Sequence, residues 1–319
     1  MSYAIQRPTA IVTSVVIIGA LCSFGAAGKT RPKDPTIKAK EKFDFAELPS
    51  KDGAIRSMKG LMIGEFLPAP ARGSRCEQDF VVGRGVRVNY RIVGPERAQS
   101  AEAAASHPVE APPEVATQPA TVADELRIYV ASSSLDAQEM LFSELGADRF
   151  NAPIDAVLEG LARHKGIGDF CILTREDRTL QTIRFCRDNV AVSIDGLHVL
   201  TRAELVTTAE AIDAQLRQQP ILTNAQLETM IPRPSISGPA HAVPREAKTQ
   251  VRVGSPVALG KGQVLVVVGP GGARGSIDAA TGTATIRVGA DGQQTVGVAV
   301  YDPESQLTRW STATVTIQD

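Results

Sequence analysis

Apolar and polar side chains alternate most clearly at residues 86–92, where Val86, Val88, Tyr90 and Ile92 stand against Arg87, Asn89 and Arg91. Successive side chains of a strand point to opposite faces, so this period of two predicts a half-buried strand with a wet, basic face. Residues 125–132 and 190–200 read as further strands. The apolar runs 170–174 and 182–187 flank Glu176, Asp177, Arg178 and Thr179, which predicts a hairpin. Ser134 can cap a helix running to Leu145, with Gly146 as its stop. A second helix is predicted from Asn151 to Gly166, with Pro153 in its first turn and Ile154, Val157, Leu158 and Leu161 along one stripe. The sharpest local signal is the T-x-x-E capping box of Thr201 and Glu204. Leu200 and Leu205 stand at the two positions of a hydrophobic staple, and Ala209, Ile212 and Leu216 continue that face. Thr223 and Gln226 repeat the device for a short helix that Pro232 and Pro234 stop.

From residue 250 the texture changes to Val, Thr and Gly. Short apolar runs separated by turn residues culminate at 308–317, where Trp310, Thr312, Thr314 and Thr316 alternate with Ser311, Ala313, Val315 and Ile317. Many short strands in so few residues predict a sandwich or barrel. The runs 282–288, 292–302 and 311–317 resemble bacterial immunoglobulin-like domains of surface and exported proteins. That resemblance implies a spacer, adhesion or docking module and carries over no functional residue.

The expected fold class is multi-domain: an α+β central domain followed by an all-β immunoglobulin-like sandwich, with Pro/Ala-rich linkers. The boundaries read as a signal peptide or anchor at 1–27 and a polar flexible segment at 28–60. A short β-rich segment follows at 61–95, then a Pro/Ala linker at 96–122. The α+β domain spans 123–231, a Pro-rich linker 232–249 and the sandwich 250–319.

The N-terminus carries Arg7, an apolar stretch at 10–24, and small residues Gly25, Ala26 and Ala27. This is the layout of a secretory signal cut after Ala27, which places the mature chain in the periplasm, on the outer surface or outside the cell. The alternative is a retained inner-membrane anchor facing the periplasm, since residues 9–27 approach the roughly 20 needed to span a bilayer. Membrane contact is expected only through this segment, if it is uncleaved. The formal net charge of −1 over 319 residues lacks the basic excess of a duplex-binding protein, so no nucleic-acid partner is expected.

Export permits disulfides. If residues 172 and 185 face each other across the hairpin, Cys171 and Cys186 do too and can bridge, leaving Cys76 free or paired between chains. No catalytic, cofactor or metal-ligand set is assigned. Residues 254–262 miss the spacing of a phosphate loop, and residues 269–275 read as a hairpin-type loop with a solvated Arg274 at its tip. Candidate surface contacts are Arg87 and Arg91, for an anionic polymer or headgroups, and Tyr301 and Trp310. The leading expectation is a structural or interaction protein of the bacterial envelope, with an envelope protein or surface polymer as partner. The rivals are an exported hydrolase acting on a wall or surface polymer, and a carbohydrate-binding protein using Tyr301 and Trp310.

Overall fold

The strand read at 86–92 lies within a seven-stranded antiparallel sheet. The computed structural model describes residues 54–95, 121–148, 161–174, 181–196, 198–239, 241–244, 248–253, 258–270, 273–278, 283–287 and 292–318. These are mainly β-strands in sheets, and all of them fall within one compact unit, Phe43–Asp319. Among them, no helix is long and apolar enough to cross a membrane.

Strand β1 is Ile55–Arg56. The large sheet comprises β2 (Arg72–Val81), β3 (Gly85–Pro95), β4 (Thr121–Ala131), β5 (Leu161–Arg163), β6 (Phe170–Thr174), β7 (Gln181–Arg187) and β8 (Val190–Gly196). Their order is β2-β3-β4-β8-β7-β6-β5. Leu161, expected at the end of a helix, instead pairs with Thr174 as β5. Residues 151–160 of that expected helix lie outside the described residues. Helix α1 (Ser134–Asp148) connects the two halves of the sheet. Its cap is Ser133, one residue earlier than expected: Ser133 Oγ accepts from the Asp136 N–H at 3.1 Å and donates to the Asp136 carboxylate at 2.8 Å. The helix continues through Gly146, whose cost to a helix is only about 1 kcal/mol.

The two faces of the sheet differ. On the inner face, Val86, Val88, Ile92, Leu126, Ile128, Val130, Ile183, Phe185, Val192 and Ile194 are buried in one cluster. Helix α2 (Arg202–Gln218) lays Leu205, Ala209, Ile212 and Leu216 onto this face. The capping box at its start forms as expected, with Thr201 Oγ1 accepting from the Glu204 N–H at 3.2 Å and the Glu204 carboxylate accepting from the Thr201 N–H at 2.7 Å. The loop before it is held by the buried Asp124, whose carboxylate accepts from the N–H groups of His198, Val199 and Leu200 at 2.7–2.9 Å. A short strand, β9 (Ile221–Leu222), and helix α3 (Asn224–Met230), again with a capping box, complete this part.

The remaining strands are β10 (Ile236–Ser237), β11 (Val243–Pro244), β12 (Lys248–Val253), β13 (Val264–Val268), β14 (Ser276–Asp278), β15 (Thr283–Arg287), β16 (Gly292–Asp302) and β17 (Leu307–Gln318). They form two four-stranded sheets, β10-β12-β15-β14 and β11-β17-β16-β13. Val267, Ala284, Ile286, Val296, Val298, Val315 and Ile317 are buried together between them. Residues 232–249, expected as a connector, supply an edge strand to each sheet. β10 pairs antiparallel with β12, and β11 runs parallel to β17.

The far side of the β16–β17 sheet packs on β2 and β3. Phe80 meets Tyr301 edge-on at 5.2 Å between ring centroids and Trp310 at 6.5 Å. The core of the large sheet therefore continues into the sandwich without a break. Gly297 is needed at this seam because a Cβ there would stand 2.9 Å from both the Trp310 ring and Val82.

Residues 54–67, expected to be polar and flexible up to residue 60, bury Ile55, Met58 and Ile63. β1 pairs with β9. Arg56 Nη1 donates to the carbonyls of Leu216, Arg217 and Gln219 at the C-terminal end of α2, and its Nε pairs with Asp188. Nearby, Arg187 grips the buried Asp213 with two hydrogen bonds of 2.7 and 2.9 Å, and Arg217 adds a third at 2.6 Å. Burial alone would raise the Asp213 carboxyl, but the bonds from Arg187 outweigh it and hold the group below its ordinary value of 3.8.

Two outcomes follow. Gly297→Val should cost about 2 kcal/mol by overpacking, read as a lower urea midpoint with Trp310 fluorescence, the single tryptophan, as the probe. Asp213→Asn should cost about 3 kcal/mol at pH 7, because it leaves Arg187 without its buried partner. A carboxyl more acidic in the folded chain stabilises above its unfolded value and loses that contribution as pH falls through the folded value. The gap between wild type and Asp213→Asn in urea melts should therefore narrow below about pH 4.

Candidate functional site

The outer face of the large sheet carries polar side chains in rows set by strand register. Arg87 stands opposite Tyr129, and Tyr129 opposite Ala191. One row along, Asn89, Arg127, Ser193 and Arg184 face one another in turn. In the next row Arg91, Glu125, Asp195 and Thr182 do the same. Ion pairs run through the rows. Arg87 binds Asp79 at 2.8 Å, Arg127 binds Glu125 and also Asp195 at 3.2 Å, and the buried Arg184 donates to Ser193 Oγ at 3.2 Å. Positive and negative groups thus neutralise each other locally instead of leaving a bare basic surface.

Helix α1 lies against this face. Between them is a small recess of about 10 Å³, room for about one water molecule, with Arg87, Arg127, Tyr129 and Ser193 on the sheet side and Met140 and Leu141 on the helix side. Burial pushes the Tyr129 phenol far above its ordinary value of 10, and the Asp136 carboxylate adds to this against an opposing Arg84. Tyr129 therefore remains a protonated donor. Among the described residues, no group of three or more His, Cys, Asp and Glu side chains could hold a metal ion.

No protein-family model and no curated protein matches this chain.

The candidate residues named from sequence fall in different places. Arg87 and Arg91 lie on the outer face as expected, Arg87 half-exposed and Arg91 exposed. Tyr301 and Trp310 are not surface groups: they are 4% and 7% exposed, turned into the seam with Phe80 because their faces of β16 and β17 cover the large sheet. Arg274 is not simply solvated either. It sits over the Phe80 ring at 5.3 Å and donates to the Gln78 carbonyl.

Cys171 and Cys186 are free. The hairpin pairs Ile172 with Arg184, one residue off the expected register, so Cys171 opposes Phe185 and Cys186 opposes Phe170. A slip of one residue moves a side chain to the other face. Cys171 accordingly joins the inner cluster and Cys186 the outer one, and the two thiols cannot bridge. Burial, with Asp213 second, pushes the Cys171 thiol up to about 12, and burial raises Cys186 further.

Arg127, Tyr129 and Arg184 were missed by sequence reading. The signal was available for two of them, since Arg127 and Tyr129 alternate with Leu126, Ile128 and Val130. Their position beside Arg87 depends on pairing between segments that are distant along the chain. A thiol reagent should label exposed Cys76 in the native protein, then Cys171 and Cys186 only on unfolding without reductant. A stable bridge would leave the last two silent.

Proposed function

We propose that this chain is a structural, partner-binding protein of the bacterial cell envelope, exported by its N-terminal segment. An α+β unit carries an immunoglobulin-like sandwich on one side. The observation that bears most weight is the strand order of the sandwich. A constant-type immunoglobulin domain has strands A, B, E and D in one sheet and C, F and G in the other. Counting β10 and β11 as one first strand divided between the sheets, the order β10-β12-β15-β14 against β11-β17-β16-β13 follows the same plan.

Two further features favour docking over catalysis or sugar binding. The aromatic pair a carbohydrate reading requires, Tyr301 and Trp310, is committed to internal packing. The exposed apolar side chains Met230, Leu259 and Val264 lie on α3 and at the β13 end of the sandwich, where Gln263 donates to the Met230 carbonyl at 2.8 Å. Sandwich folds serve many functions, so the fold alone does not decide between docking and chemistry.

The test combines address and contact. The mature protein should be recovered from the envelope fraction beginning at Gly28. A photo-crosslinker at Leu259 or Val264 should give one discrete adduct in living cells, and one at Arg91 on the large sheet should not. Full-length protein recovered from the cytosol, or turnover of a wall polymer by the purified chain, would overturn the proposal.

A further inference from the structure

One edge strand of the sandwich lacks the protection that the others have. Exposed edges are kept from pairing with other chains by brevity, charge, proline or a bulge. β10 and β11 have two residues each, and β11 ends in Pro244. β14 and β5 have three each, and β2 carries its bulge. β13 is an unbroken apolar run of Val264, Leu265, Val266, Val267 and Val268 with none of these devices.

Its hydrogen bonds show which side is open. On one side β13 pairs regularly with β16, from Val264 opposite Tyr301 to Val268 opposite Gly297. On the other side residues 273–275 begin a second ladder. The Gly275 N–H donates to the Val267 carbonyl at 2.9 Å, and the Gly269 N–H to the Ala273 carbonyl at 2.7 Å. The Val267 carbonyl therefore points away from β16. The N–H and C=O of one strand residue point the same way, and the direction alternates along the strand. The Val267 N–H and both backbone groups of Leu265 thus face the same side. After Gly275 the chain enters β14 in the opposite sheet, so this ladder stops at Val267. Among the described residues nothing pairs with the three groups beyond it.

The gap is apolar on both faces. Leu265 packs against the cluster between the sandwich sheets, and Val266 against the cluster shared with the large sheet. Val264 at the open end is 44% exposed. In the strand plan proposed above, β13 stands where strand C stands, and variable-type domains place a further strand beside C in that sheet. A second copy fits less well. Antiparallel self-pairing would call on Val267 or Gln263, yet the Val267 carbonyl is held by Gly275 and the Gln263 N–H by Gly260.

We infer that the β13 edge takes an extended segment of a partner protein as an added strand, bonded to Leu265 and Val267 and apolar on both faces. Strand addition of this kind draws affinity from main-chain bonds and selectivity from alternate side chains. The inference rests on the docking reading and names the form of the contact.

The test follows backbone amide exchange of the full chain by NMR, alone and with an end-blocked peptide, Lys-Thr-Val-Val-Val-Thr-Lys, as the probe. Alone, the Leu265 and Val267 amides should exchange faster than those of Val264, Val266 and Val268, which face β16. The peptide should bind saturably, with a dissociation constant on the order of a millimolar, and slow exchange at Leu265 and Val267 roughly tenfold. Leu265→Pro removes an N–H on the side away from β16, so the strand should stand while binding weakens roughly tenfold. If that variant does not fold, Val264→Lys puts a charge on the exposed end and should weaken binding roughly threefold or more. Absence of saturable binding, binding that leaves the two amides unprotected, or unchanged affinity in a folded variant would each overturn the inference. Protection that rises with protein concentration without peptide would also overturn it, because the occupant would then be a second copy. A discrete crosslink at Val264 without protection at Leu265 would keep the docking reading and remove this one. Peptide protection in a protein recovered from the cytosol would keep the edge and remove the envelope assignment.

Discussion

The structure depends on one contact: Phe80 of β2 wedged against Tyr301 and Trp310 of the sandwich. Aromatic rings bury more apolar area than any other side chains, and edge-to-face packing adds to that burial. Only 4% of the chain is aromatic, so placing three rings at one seam concentrates a scarce resource there. The consequence is that the sandwich and the large sheet share a buried cluster. Gly297 has to be bare, and Arg274 closes the rim by lying over Phe80. The edge strand β2 is thereby covered in part, with a bulge between Arg75 and Glu77 breaking its regularity, two ways in which exposed edges avoid pairing with other chains.

A second constraint acts at the other end of the inner face. The segment around Arg56 ties together the end of α2, the β7–β8 turn and β9, while Met58 donates its N–H to the Ser305 carbonyl in the β16–β17 turn. Asp213 and Arg187 beneath it form a buried pair whose remaining lone pairs are also used. Such pairs add little net stability but penalise any arrangement that separates them, so they favour one register of α2 on the sheet.

Against these saturated networks the outer face is uneven. Most of its charges are matched across strands, yet the Tyr129 hydroxyl and Arg87 Nε have no hydrogen-bond partner within the protein.

The chain by itself determined the local devices. The capping boxes at Thr201 and Thr223 and the alternation at 86–92 all stand where their residues put them, because each depends on neighbours within four positions. Thr, Gly and Val texture after residue 250 likewise predicted strands that then formed. What tertiary structure decided was every relation between distant segments. The hairpin register, one residue off expectation, sent Cys171 and Cys186 to opposite faces. Sheet stacking turned Tyr301 and Trp310 inward, and strand pairing brought Tyr129 beside Arg87. Alternation says that a residue faces one side or the other, but not what covers that side. Only the packing of one layer on another settles which face is core and which remains open.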